Sequence, residues 1–151
     1  MSLSSTAPGI ANRASSELPI ASGVDTRWLL RALLVGGAAL AVGIAAVTGD
    51  PAAYLSTDPG LGALLRGMAV IKAFLTAAAM AALLWRFARP IGYRVAALYL
   101  GGAWCMAAAS MIVWRLSHIG VGALVFHAGE LTLLFVAWQE HRRETLGGRA
   151  R

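Results

Sequence analysis

The sequence predicts an all-α integral membrane protein: four transmembrane helices in an up-down antiparallel bundle, both termini cytoplasmic. Three observations carry that expectation. The first is composition, because 58% of the 151 residues are hydrophobic and 13% charged, too apolar for an ordinary water-soluble domain. The second is segregation. Residues 32–48, 67–85, 95–114 and 119–138 make up half the chain yet hold only two of its Asp, Glu, Lys and Arg side chains, Lys72 and Glu130. Runs of that length cross a hydrocarbon core of about 30 Å as helices. The third is tryptophan placement: Trp28, Trp85, Trp114 and Trp138 fall at the ends of the expected spans, where an indole suits the headgroup boundary.

The chain divides into three parts. Residues 1–26, rich in Ser, Ala, Gly and Pro, offer little apolar burial to offset the entropy of ordering and read as a flexible cytoplasmic leader. Residues 27–139 form the transmembrane domain, with spans at about 28–48, 61–86, 93–115 and 118–139. Residues 140–151 are a basic cytoplasmic tail. The first apolar run exceeds the ~7–15 residues of a signal-peptide core, so it reads as a retained span.

The breaks between spans have local causes. Asp50-Pro51 and Asp58-Pro59 combine a helix stop with a cap for the next helix, which places the second helix start near Pro59. Arg89-Pro90-Ile91-Gly92 and the Arg115-to-His118 connector are both short, so the helices they join must be antiparallel neighbours. A charged tail from Gln139 extends the last helix by a turn or two before Gly147-Gly148 ends it. Gly36, Gly37 and Gly43 on span one, Ala73, Ala77 and Ala81 on span two and Gly101, Cys105 and Ala109 on span three form small-residue rows that permit tight helix contact.

Orientation follows arginine and lysine, not net charge. Arg13, Arg27, Arg31, Arg86, Arg89, Arg94, Arg142, Arg143, Arg149 and Arg151 lie on one side of the spans, and only Arg66 and Arg115 on the other. The richer side is expected in the cytoplasm of a bacterium whose inner (plasma) membrane holds the protein. The same clustering makes the +6 charge an orientation signal rather than a nucleic-acid footprint; Arg86, Arg89, Arg94, Arg142 and Arg143 are candidates for lipid headgroup contact.

The chemistry-bearing residues are few. A carboxylate at mid-bilayer costs about 2.5–3.5 kcal/mol and needs a partner, water or a proton, which singles out Glu130. His127, three residues earlier, shares its side of the helix. Lys72 and Ser110 fall in the same outer half, and a Tyr99, Ala103, Met106, Ser110 line gives span three a face toward them. Glu130, His127, Lys72 and Ser110 are therefore the candidates for a buried polar or ion-coupling cluster. A metal or haem reading uses His127 with Met106, or Cys105, as a soft second ligand; spans one to three hold no histidine to complete a pair, and His118, nine residues from His127, points to the opposite face of the helix. His118 is expected at the outer interface and His141 in the tail. The single Cys105 forms no intrachain disulfide. No nucleophile elbow, Walker loop, His-Glu-x-x-His or Cys-x-x-Cys pattern occurs.

The functional expectation is a small non-enzymatic membrane protein, either an accessory subunit of a membrane complex or a minor transport or proton-linked component using His127, Glu130 and Lys72. The alternatives are a haem- or metal-binding redox subunit and a structural scaffold with no chemistry of its own. The expected partners are the lipid bilayer and other membrane subunits or further copies of the chain, with no nucleic acid; the residues name no cofactor.

Overall fold

The computed structural model describes residues 25–48 and 59–148. The leader 1–24, the Asp50-Pro51 break and the last three residues, including Arg149 and Arg151, lie outside them. Four helices account for most of the described chain: α1 Thr26–Val47, α2 Pro59–Arg86, α3 Tyr93–Trp114 and α4 Ile119–Gly148. All four contain a window long and apolar enough to cross a membrane. α2 begins at Pro59, where its missing N–H costs nothing in the first turn. The last helix does differ at its end, since it continues through Gly147 and Gly148 instead of stopping before them.

Helix ends are held by specific bonds. The Asp25 carboxylate accepts the Arg27 N–H at 3.2 Å, capping α1. At the other end the Thr48 hydroxyl donates to the Ile44 carbonyl at 3.0 Å. The end of α3 is a six-residue wrap in which Leu116 N–H reaches Val113 O at 3.0 Å and Ser117 N–H reaches Ile112 O at 3.3 Å. That pairing puts the residue after the cap in the left-handed region. Leu116 occupies it at φ 57°, and His118 follows at φ 49°.

Helix α3 is the hub. It packs along α4, α1 and α2, whereas α1 and α2 barely meet. Two contacts set the registers of α3 against its neighbours: Thr76 of α2 stands beside Ser110, and the Gly102 backbone faces Gly129 of α4. Successive helices therefore alternate direction, as the sequence predicts. Without water there is no hydrophobic drive between helices, so close packing must supply the attraction, and small residues let backbones approach. A Cβ on Gly129 would stand 2.7 Å from the Gly102 carbonyl oxygen, and a Cβ on Gly37 of α1 would fall inside the Trp104 indole.

Of the small residues expected at close contacts, Gly37 and Ala109 are tightly packed, and the rest are not. Gly36, Gly43 and Gly101 face open space, Cys105 is exposed, and Ala73, Ala77 and Ala81 are exposed. On α3 the closely packed row is Gly102, Met106, Ala109 and Val113, which keeps Ala109 from the predicted row but puts Gly102 and Met106, each 100° round the helix, in place of Gly101 and Cys105. On α2 the inward face is Ala69, Lys72, Thr76 and Leu83, continued by Phe87 just past its end. The core consists of two apolar clusters. Leu34, Leu83, Phe87, Tyr99, Leu100, Ala103 and Val136 fill the arginine-rich end, and Met106, Ala109 and Phe126 fill the other half.

Candidate functional site

Glu130 and His127 do meet. The His127 Nδ1 and Glu130 Oε2 are 3.2 Å apart on one face of α4, the separation that a three-residue step brings within reach. Their side chains are 60% and 39% exposed respectively, so the pair lies on the outer surface of the bundle. The reason is the position of α4, whose extensive packing within the chain is with α3. Gly122, Phe126, Gly129 and Val136 turn inward, and His127 lies 100° round the helix from Phe126.

Lys72 and Ser110 belong to the interior. The Lys72 ammonium sits 4.0 Å from the centre of the Phe126 ring, an attraction between a cation and the ring's negative face. Among the described residues no ion pair joins Lys72 to Glu130. The Ser110 hydroxyl is 2.9 Å from the Met106 carbonyl and 3.4 Å from the Thr76 hydroxyl, and Thr76 in turn donates to the Lys72 carbonyl at 2.9 Å. Thr76 is a member of this group that the sequence reading passed over; its spacing of four from Lys72 was the available signal. All four residues of the Tyr99, Ala103, Met106, Ser110 line are buried.

For a metal, Met106 is buried against Phe126 and Ala109, while His127 is exposed on the outer face. Among the described residues no group of three or more His, Cys, Asp or Glu side chains gathers. Between α1 and α2, above α3, an apolar crevice of about 690 Å³ is lined by Val42, Phe74, Met111 and Trp114, with Thr76 and Ser110 contributing its hydroxyls.

A three-residue polar clamp lies elsewhere. Arg86, the last residue of α2, holds Glu140 of α4 through two nitrogens, Nη2 to Oε1 at 2.5 Å and Nε to Oε2 at 3.2 Å. The buried Tyr99 hydroxyl donates to Oε2 at 2.8 Å, and its ring meets Phe87 edge-on with centres 6.4 Å apart. Sequence reading placed Glu140 in a solvated tail. Around this clamp the other headgroup candidates stack on aromatic rings. Arg89 lies over Trp85 at 4.6 Å, Arg94 over Tyr93 at 5.6 Å and Arg142 over Trp138 at 4.6 Å; Arg143 is exposed. Stacked guanidinium groups beside interfacial rings suit a boundary between acyl chains and phosphates. No family model, curated protein or solved structure matches the chain, so the functional reading rests on these side chains.

Proposed function

We propose that this is a small non-enzymatic protein of a bacterial inner membrane, both termini cytoplasmic, that works as a subunit of a membrane assembly by docking α4 against another membrane helix. One observation carries the reading: the His127–Glu130 pair stands midway along a span on the outward face of the bundle. Hydrocarbon cannot satisfy the remaining lone pairs and ring nitrogen there, and polar groups in a bilayer face a protein neighbour or water. A second helix against α4 supplies that neighbour. The arginine-rich ends of the helices support the orientation.

The test is the size of the protein in mild detergent. Wild type is expected to elute as a complex, and a His127→Leu, Glu130→Leu double variant as a smaller particle with its helix content unchanged. A wild-type protein of single-chain size, indistinguishable from the double variant, would overturn the reading.

A further inference from the structure

Resting on that docking reading, we infer that the helix against α4 is the α4 of a second copy of this chain, packed about a two-fold axis along the membrane normal. The outward face of α4 carries Leu124, His127, Leu131, Leu134 and Trp138, each more than half exposed. Their spacing is three, four, three, four, the repeat of a two-helix seam. An apolar row of that period suits lipid equally well, and the polar pair at its centre decides between the two. Glu130 occupies His127 Nδ1, which leaves Nε2 for a group outside the chain.

A second copy is complementary to this face. Both copies enter the membrane in the same direction, so their α4 helices run parallel and each layer meets its own equivalent. Leucine faces leucine and Trp138 faces its counterpart. At the His127 layer one ring, protonated on both nitrogens, donates from Nε2 to the bare Nε2 of the other, while each Nδ1–H is held by the glutamate of its own chain. A single polar layer in an apolar seam also fixes the register, since a shifted pairing would set each histidine against leucine.

The test is disulfide cross-linking of the full-length protein in native membranes. With Cys105→Ala as background, Leu124→Cys, Leu131→Cys and Leu134→Cys are expected to give a covalent dimer on oxidation, because facing seam positions bring Cβ atoms close enough to bridge. Leu40→Cys on α1 and Phe74→Cys on α2, equally exposed but on other faces, are expected to give none. His127→Ala added to Leu131→Cys is expected to lower the cross-linked fraction about threefold or more, the size of an interhelical hydrogen bond in a bilayer. No dimer at the seam positions, equal dimer at Leu40→Cys and Phe74→Cys, or indifference to His127→Ala would each overturn the pairing. A wild-type complex in detergent whose second component is a different protein would overturn this inference while leaving the docking reading in place.

Discussion

Arg86 and Glu140 are joined by a two-pronged ion pair that ties the end of α2 to α4, although these two helices share little other contact. Tyr99 of α3 adds a third bond to the same carboxylate, so one glutamate links three helices. Hydrogen bonds to a charged group contribute about 1.5–3 kcal/mol when shielded, and partial exposure of this pair places it at the lower end. Tyr99→Phe, which removes only the hydroxyl, is expected to lower thermal stability in detergent by about 1 kcal/mol. Arg86→Leu is expected to cost more, because both prongs are lost. Unchanged melting of both variants would contradict the clamp.

The glycine contacts differ sharply from one another. Gly129→Val and Gly37→Val are expected to destabilise by about 1–3 kcal/mol, since the new side chains collide with the Gly102 backbone and the Trp104 indole. Gly36→Val, next to Gly37 but facing open space, is expected to be near neutral. Denaturant titrations of the three variants check this; equal sensitivity at 36 and 37 would contradict the α1–α3 contact.

In the α3–α4 turn, two left-handed residues have opposite expectations. A non-glycine residue there costs about 1–2 kcal/mol. His118 is exposed, so His118→Gly is expected to raise stability by up to about 1 kcal/mol. Leu116 is buried, and truncating a buried leucine costs about 2–5 kcal/mol, so burial wins and Leu116→Gly is expected to destabilise. Melting temperatures moving the same way in both variants would contradict the turn geometry.

Lys72 sets two magnitudes against each other. Holding a cation within a span costs about 2.5–3.5 kcal/mol, whereas a ring face returns about 0.5–2. Lys72→Met keeps most of the stem volume and is expected to raise stability by about 1 kcal/mol. A clear loss of stability would mean that Lys72 holds a partner beyond Phe126.

The helices and their order are legible in the sequence because membrane spans are long, uncharged and ringed by Trp. Which side of each helix faces inward is not. In water an apolar stripe marks the core, but here Leu40, Phe74 and Leu124 face outward as readily as Leu83 and Phe126 face inward, because lipid accepts them. That is why Gly101 and Cys105 were expected in the row that Gly102 and Met106 fill, 100° round the helix. The pairing of His127 with Glu130 follows from spacing alone, but its outward placement depends on α3, not α4, being central. Glu140 was hidden for a different reason: it stands two residues past Trp138 in a charged stretch, and only the fold brings Arg86 and Tyr99 to it.

Docking requires α4 to be covered where His127 and Glu130 emerge. Leu124 of α4 and Leu40 of α1 are 71% and 66% exposed in the single chain, and the Gly37–Trp104 and Gly102–Gly129 contacts put them at the same depth. A fluorophore on Leu124→Cys or Leu40→Cys, each in the Cys105→Ala background, can be challenged in vesicles with a quencher carried on the acyl chains. Strong quenching at position 40 and weak quenching at 124 is the expected result; equal quenching at both would show α4 bare to lipid and contradict the account.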